Sequence, residues 1–299
     1  MEPDLHLSSK TCAPGSAHRG AMSTTTHTTH PASHPASPEG HDWREAGEAW
    51  GSGAVDWACL FEHYAVNVLL VTMDRLHVGE GTRLLDIACG SGLGIRFAEA
   101  AGAETAGIDA AESLVRVAQA RSPRSDVRHG DMFALPWADA SFDAVTSVNG
   151  IWGDCEAALA EAYRVLRPGG RIAISFWGRG RLDLRPVFKV FAANSPESHQ
   201  QGMRRTNNIA RDGVAEAMLA SAGFEVLERG SRLSMVEWPD ADTAWRAIAT
   251  LGPAQPALRN VGPEALRPQV MAVLDGLVDD SGIYRFCNDQ EYVVAQKPT

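Results

Sequence analysis

Short apolar segments alternate with helical segments through the middle of the chain, and this alternation restricts the fold more than any other feature. Buried strands are predicted at residues 83–88, 105–108, 127–129, 142–148, 171–176 and 292–296. Helical patterns follow at residues 93–101, 111–121, 156–166 and 212–222. Strands joined by helices require right-handed crossovers, which produce a mostly parallel sheet covered on both faces. The sequence therefore predicts an α/β fold.

Polar side chains follow the first four predicted strands. Asp86 lies near the end of the first strand, and Asp109, Asp131 and Asn149 lie at or just beyond the ends of the next three. The carboxyl ends of parallel strands meet at one edge of the sheet, where α/β proteins bind ligands. We therefore expect all four side chains to border one crevice.

Gly90 and Gly92 occupy the predicted turn between the first strand and its helix. Glycine permits positive φ and lets a ligand approach the backbone closely. The helix beginning near Leu93 would direct free N–H groups into the crevice. Asp109, 17 residues after Gly92, could accept hydrogen bonds from both hydroxyls of a ribose. The alternative is that Asp109 caps the next helix.

A dinucleotide is the less favoured ligand. Its fingerprint requires G-x-G-x-x-G/A, and counting from Gly90 the last position is Ile95. A β-branched side chain there should hinder close packing of the helix on the strand, and Gly94 comes one residue too early. An NAD-dependent oxidoreductase is therefore the weaker hypothesis.

Several ordered segments resemble the motifs of one family. They are Leu85–Gly92 (LDIACGSG, with Ala88 replacing the first glycine), Gly107–Asp109 (GID), Gly130–Pro136 (GDMFALP), Phe142–Val145 (FDAV) and Glu161–Arg171 (EAYRVLRPGGR). Over residues 80–178 the chain resembles the seven-stranded, Rossmann-like S-adenosylmethionine-dependent methyltransferases that act on small molecules. The Glu161–Arg171 segment is the most specific match.

This resemblance implies S-adenosylmethionine as the cofactor and gives each polar position a role. It places Gly90 and Gly92 under the methionine part, Asp86 at its ammonium, Asp109 at the ribose, Leu114 near the nucleoside, Asp131 at the adenine amino group, Met132 against the adenine ring, and Asn149 near the sulfonium. Two simpler interpretations remain open. Asp131 could stabilise its own loop through an Asx turn, and Leu114 could be an ordinary core residue.

The acceptor site should lie outside the shared motifs. Trp152, just after the fourth strand, is the best candidate because an aromatic plane can stack on a substrate or a methyl cation, although it could instead pack between strand and helix. Residues 43–76 are predicted as a helical lid in which Trp57, Phe61 and Tyr64 share one face. That aromatic stripe could equally be core. Residues 179–210 and 238–277, with Phe188 and Phe191, are predicted to complete the substrate cover.

No general base is evident. Alignment of the acceptor with the methyl group can supply much of the rate, which makes a dedicated base optional. His63, His129 and His199 are candidates by residue type only. A non-catalytic protein that binds S-adenosylmethionine as a regulator or scaffold is the alternative to an enzyme. An open pocket beside Asn149 and Trp152 would favour the enzyme.

Composition restricts the partners. The net charge is −10 and there is no basic stripe, which argues against nucleic acid and leaves a small-molecule acceptor. The five scattered cysteines predict neither a metal site nor disulfides, and they favour a reducing compartment. No apolar run reaches about 18 residues and no secretory signal is evident, so we expect a cytoplasmic protein without a membrane span. A homodimer is compatible with the sequence.

The first 42 residues differ in composition from the rest. They are rich in Ser, Thr, His, Pro and Ala and offer little apolar area to bury. We therefore expect a disordered tail at residues 1–42 and a methyltransferase domain at residues 43–299, with the cofactor-binding core at residues 80–178.

Overall fold

A computed structural model describes residues 42–197 and 207–299 of the chain. The helices are α1 (Trp43–Gly51), α2 (Ala54–Asp56), α3 (Val66–Arg75), α4 (Leu93–Ala100), α5 (Glu112–Arg121), α6 (Glu156–Val165), α7 (Arg185–Asn194), α8 (Val214–Ser221), α9 (Ala241–Ala249), α10 (Gln255–Val261) and α11 (Pro263–Leu274). The strands are β1 (Arg83–Ile87), β2 (Glu104–Asp109), β3 (Asp126–His129), β4 (Phe142–Val148), β5 (Leu166–Leu182), β6 (Glu225–Trp238) and β7 (Tyr284–Gln296).

The strands form one seven-stranded sheet in the order β3-β2-β1-β4-β5-β7-β6. Strands β1 to β5 run parallel, and β7 runs antiparallel to both of its neighbours. The strand order reverses between β1 and β4, at the centre of the sheet, which is where such sheets bind ligands. This confirms the predicted α/β fold with a mostly parallel sheet.

Each face of the sheet carries a hydrophobic core. On one face, Leu84, Ala144 and Val294 pack against α3, α7 and the C-terminal helices. On the other face, Leu85 and Val145 pack against α6 and α8. Helices therefore cover both faces, as expected.

The sheet departs from the sequence prediction mainly at its C-terminal side. Strand β6, which lies at one of the two edges of the sheet, was not predicted because it mixes charged with apolar residues. Strand β7 begins at Tyr284 rather than at 292, since its first half contains the polar residues Asn288, Asp289 and Gln290. Three helices, α9 to α11, occupy residues 238–277, where two were predicted.

The N-terminal segment, predicted as one helical stretch, changes helix type along its length. Between α2 and α3 the chain forms a π-helical turn at Trp57–Phe61 and a 3₁₀ turn at Glu62–Ala65. Asp42, which the sequence prediction placed in the tail, caps α1 by accepting a hydrogen bond from the Arg44 N–H at 2.9 Å. The rest of the predicted tail lies outside the described residues.

Residues Ala54–Arg75 are long and apolar enough to cross a membrane by length and composition, which the sequence prediction did not anticipate. Half of this stretch's most apolar window is buried within the fold. Phe61, Val68 and Leu69 belong to the hydrophobic core. Val55 and Leu70 of the same stretch are exposed.

Candidate active site

A cleft of about 1000 Å³, its open mouth included, lies at the carboxyl ends of β1 to β4. Nine of the predicted site residues line it: Trp57, Tyr64, Gly90, Asp109, Leu114, Asp131, Met132, Asn149 and Trp152. Asp86 and Gly92 do not line it.

Gly90 lies in the turn between β1 and α4 and forms part of the floor of the cleft. Its φ is +54°, and a Cβ placed there would meet only the Trp57 indole nitrogen, at 3.8 Å. Gly92 does not line the cleft, and a Cβ there would lie 2.9 Å from Cβ of Ala118 in α5. Its small size allows α5 to pack against the turn, and its predicted place under the methionine part of the cofactor stays a prediction.

Asp86 lies behind the glycine turn rather than in the cleft. Its side chain points toward α4, where a Cβ on Gly94 would come within 2.5 Å of Oδ2. The residue is only 3 % exposed, and this burial, reinforced by the charge of Asp109, raises the pKa of its carboxyl well above its usual range. The predicted role of Asp86 in holding the ammonium group of the cofactor would at this position need a bridging water, and it stays a prediction.

Ile95 does not hinder close packing of α4 on the sheet, contrary to the sequence argument. Its side chain is fully buried, and a Cβ on Gly107 of β2 would come within 2.7 Å of Ile95 Cδ1. Gly107 therefore provides the space that the β-branched side chain needs. The fingerprint mismatch remains, but the steric reason given for it is wrong.

The Asp109 carboxylate lines the cleft and also accepts two backbone hydrogen bonds. Oδ2 accepts a hydrogen bond from the Gly90 N–H and Oδ1 accepts one from the Ala111 N–H, both at 2.7 Å. The carboxylate thus braces the glycine turn and the start of α5 while it lines the cleft. A carboxylate has about four acceptor sites, so two remain for a ligand. Burial raises the pKa of Asp109, and the two backbone hydrogen bonds oppose that shift.

Asp131 and Leu114 both fit the simpler interpretations, an Asx turn and core packing, and both also line the cleft. Asp131 Oδ1 accepts a hydrogen bond from the Phe133 N–H at 2.9 Å, which is the Asx turn. Leu114 is 3 % exposed and belongs to a small core cluster with Ala54 and Ala111. Both side chains nevertheless line the cleft, beside Met132.

Asn149 connects the cleft to the neighbouring strands. Its backbone is left-handed, with φ of 55°. Its N–H donates to the Ser175 carbonyl of β5 at 2.9 Å, and its carbonyl accepts from Trp152 Nε1 at 3.1 Å. Its side-chain Nδ2 donates to the Tyr64 hydroxyl oxygen at 3.1 Å. Trp152 is therefore fixed by a hydrogen bond as well as by packing.

The N-terminal segment forms an aromatic roof, which we define as Trp43, Trp50, Trp57 and Tyr64. All four line the cleft, and they are spaced seven residues apart. Trp57 contacts both Trp50 and Tyr64, with ring centroids 5.2 and 6.0 Å apart. Only Trp57 and Tyr64 were predicted as site residues from the sequence. The seven-residue spacing, which is two turns of an α-helix, would also have identified Trp43 and Trp50.

Helix α1 packs tightly against the loop at the carboxyl end of β2. A Cβ on Gly47 would overlap the carbonyl of Ala110, which follows Asp109 directly. The first part of the roof therefore lies against the loop that leaves β2.

The predicted cover segments do not line the cleft within the described residues. Phe61 and Phe191 are fully buried in the core, and Phe188 packs against it. Residues 238–277 instead support the roof from behind, since a Cβ on Gly252 would overlap the Trp50 ring. The part of the cover predicted at residues 198–206 lies outside the described residues.

The two candidate histidines that the structure describes, His63 and His129, do not line the cleft. His63 is exposed, and partial burial lowers its pKa against the opposing charges of Glu62 and Glu237. His129 is exposed, with Nε2 3.0 Å from the Ala110 carbonyl. His199 lies outside the described residues. Cys155 does line the cleft, but burial raises the pKa of its thiol to about 12.

Comparisons with known proteins agree with this architecture. The family described as "Methyltransferase domain" matches residues 85–174. Demethylmenaquinone methyltransferase of Renibacterium salmoninarum is 29% identical over 194 residues, covering 64% of this chain and 74% of that protein. The enzyme of the same name from Listeria monocytogenes is 32% identical over 178 residues, covering 51% of this chain and 74% of that protein.

Solved structures share the fold at lower identity. The cyclase SpnF superposes with a TM-score of 0.58 at 18% identity, covering 86% of this chain and 97% of that one. Phosphoethanolamine N-methyltransferase 2 of Haemonchus contortus gives 0.53 at 19% identity, covering 88% and 61%. Sequence and fold together assign the chain to the S-adenosylmethionine-dependent methyltransferases of the Rossmann-like class I fold, and the protein is an enzyme of that family.

Proposed function

We propose that this enzyme transfers the methyl group of S-adenosylmethionine to a small, partly apolar acceptor held between Trp152 and the aromatic roof. The observation that supports this most is the division of the cleft. The carboxylates Asp109 and Asp131 lie at the ends of β2 and β3, whereas Asn149, Trp152 and the roof residue Tyr64 form an uncharged half beyond β4.

The charged half fits a nucleoside. The two free acceptor sites of Asp109 suit a ribose diol, and Asp131 with Met132 suits the amino group and ring of adenine. Gly90 leaves its backbone open for the methionine part. When bound, the cofactor supplies an electrophilic methyl group, and the residues of this chain bind it, orient it and exclude water.

The uncharged half fits an apolar acceptor with few charges. Trp57, Tyr64 and Trp152 provide its aromatic surface, and no basic cluster was found in the sequence that would attract a phosphate backbone. The relatives named demethylmenaquinone methyltransferases support an acceptor of this kind. Alignment under the roof would supply most of the rate enhancement, since neither of the described candidate histidines, His63 and His129, lines the cleft.

The decisive experiment is incubation of a metabolite extract with methyl-labelled S-adenosylmethionine, followed by mass spectrometry. We expect labelled small molecules with the wild-type enzyme and none with Asp109→Ala, which should lose the cofactor. Labelling of tRNA or of folded proteins, with no labelled small molecule, would refute the proposal. A parallel assay with chemically reduced demethylmenaquinone would show whether the relatives' substrate is accepted.

A further inference from the structure

A buried amide lies directly behind the uncharged half of the cleft. Gln290 of β7 is 0 % exposed, and its Nε2 is 3.4 Å from both Asn149 Oδ1 and Ser175 Oγ. Its Oε1 has no hydrogen-bond partner in the part of the chain that the structure describes. Leaving a buried polar atom unpaired is unfavourable, because the atom has lost its hydrogen bonds to water. The fold therefore keeps an unfavourable group at a point where it reaches a cleft residue.

The direction of these hydrogen bonds determines which proton faces the cleft. Gln290 donates to Asn149 Oδ1, so Asn149 turns its Nδ2 toward Tyr64 and donates to the hydroxyl oxygen at 3.1 Å. No hydrogen bond donated by the Tyr64 hydroxyl is found among the described residues. Burial raises the pKa of Tyr64, so the hydroxyl keeps its proton at neutral pH.

The hydroxyl is held rigidly and lies away from the nucleoside carboxylates. The Tyr64 ring packs on Trp177 at 4.8 Å and on Phe61 at 5.3 Å. Asn149 follows β4, and Gln290 lies in β7. In the sheet, β4 and β7 are on one side of β1, whereas β2 and β3, whose ends carry the carboxylates, are on the other side. A ligand group that meets this hydroxyl in the uncharged half would therefore belong to the acceptor.

We propose that the Tyr64 hydroxyl donates a hydrogen bond to an oxygen of the acceptor, and that Gln290, acting through Asn149, is the positioning residue that keeps this donor free. The acceptor class is then a neutral ring compound with a carbonyl, enol or phenol oxygen. This inference rests on the proposed function, because it assigns the group recognised in the same cleft.

The first test compares two probes that differ in one oxygen, the bicyclic ketone 1-tetralone and its oxygen-free counterpart tetralin. Binding to the enzyme saturated with S-adenosylhomocysteine is measured by calorimetry. We expect the wild type to prefer the ketone about three- to tenfold, the value of one neutral hydrogen bond. Tyr64→Phe should abolish the preference by weakening the ketone alone. Tyr284→Phe, whose hydroxyl bonds Asp275 at a distant site, should retain it.

The second test addresses Gln290. In Gln290→Met the side chain cannot donate, so Asn149 should turn its amide over and accept from Tyr64, and the ketone preference should fall to nearly one. Gln290→Leu, which also lacks a donor, should lower the preference in the same direction if the methionine variant fails to fold. Gln296→Met is the matched control, since Gln296 lies at the other end of β7 and bonds the Gly169 carbonyl. Cofactor affinity should remain within twofold in all folded variants.

The outcomes separate the two proposals. The inference is overturned if the wild type does not prefer the ketone, and binding of neither probe counts as such a result. It is also overturned if Tyr64→Phe keeps the preference for the ketone, or if the Gln290 variants show the same preference as the wild type. Labelled metabolites obtained alongside such a result would leave the proposed function standing. Absence of cofactor binding by the wild type would instead remove the proposed function itself.

Discussion

Two residues other than glycine hold left-handed backbone where the central strands end. Ala88 after β1 and Asn149 after β4 both have φ of 55°. This conformation costs roughly 1–2 kcal/mol for residues with a Cβ. The residue after Asn149 is Gly150, and a Cβ there would overlap the Ala88 Cβ. The departure from glycine at position 88 is thus accommodated by a glycine on the neighbouring strand end.

We expect Gly150→Ala to reduce the free energy of unfolding by about 1–3 kcal/mol, because two Cβ atoms would compete for one space. Cofactor affinity should fall with it, since the glycine turn begins at Ala88. Urea denaturation and calorimetry measure the two effects. Gly276→Ala is the control: a Cβ there meets nothing within 4 Å, and its effect should stay within about 0.5 kcal/mol. Equal losses of stability in Gly150→Ala and Gly276→Ala would show that the backbone moves to relieve the overlap of the two Cβ atoms.

Asp109→Asn should weaken cofactor binding by about 1.5–3 kcal/mol, because an amide removes one accepting oxygen and the charge that strengthens hydrogen bonds. Calorimetry with S-adenosylhomocysteine measures this. Asp126→Asn changes an exposed carboxylate paired with Arg128 and should leave affinity unchanged. If both variants bind equally well, the Asp109 carboxylate serves only the turn and α5.

At the residue scale, the sequence predicted which acids lie at strand ends but not which way they face. Asp109 and Asp131 line the cleft, whereas Asp86, one residue before the end of β1, points to α4. Successive strand residues face opposite sides, so a shift of one position decides between cleft and core. Strand limits inferred from apolar runs are not accurate to one residue.

At the scale of elements, a buried ion pair connects the roof to the glycine turn. Arg121 at the end of α5 bonds Glu62 Oε1 at 2.6 Å, the Ala58 carbonyl at 3.1 Å and the Ser91 carbonyl at 3.3 Å. The Ser91 hydroxyl also donates to Glu62. The roof, α5 and the turn beneath the cofactor are therefore held as one unit.

Arg121→Met should reduce stability by about 3 kcal/mol, since it leaves the mostly buried Glu62 carboxylate without its partner. Cofactor affinity should fall because the turn is released. Arg116→Met on the same helix breaks an exposed pair with Glu112 and should change stability by less than about 0.5 kcal/mol. Chemical denaturation and calorimetry of both variants test this, and matching losses would contradict a special role for Arg121.

Most helices and parallel strands were predictable because their apolar periodicity is strong, whereas the edge strand β6 and the turns of mixed helix type before α3 were not. Strand β6 carries charges on its outer side, and its pattern resembles a loop. The π turn at Trp57–Phe61 has no sequence signature distinct from a helix. Contacts such as Arg121 with Glu62 join residues 59 positions apart, and no local pattern reports them.

For the whole molecule, the cleft is closed by two separate parts of the chain. The sheet provides the floor, the segment before β1 provides the roof, and Gly252 and its neighbours support that roof. A ligand that contacts both floor and roof stabilises the folded state as a whole.

S-adenosylhomocysteine at about 100 times its Kd should stabilise the protein by about 2.7 kcal/mol. At roughly 2–4 °C per kcal/mol for a domain of this size, the Tm should rise by about 5–10 °C. NAD at the same concentration should leave the Tm unchanged within error. A scanning calorimeter measures both. A larger shift with NAD would assign the cleft to the wrong cofactor.

The π-helical turn at Trp57–Phe61 suggests how such an enzyme could change its substrate over evolution. A π turn holds more residues than an α turn, and one residue of an α-helix corresponds to about 100° of rotation. Loss of a single codon within this turn would turn the residues of α2 by about 100° relative to Tyr64 and so change which side chains reach the cleft. Tyr64 and the cofactor carboxylates would keep their places. Descendants of one gene could thus diversify by changes in length at this turn, with the catalytic sheet inherited unaltered.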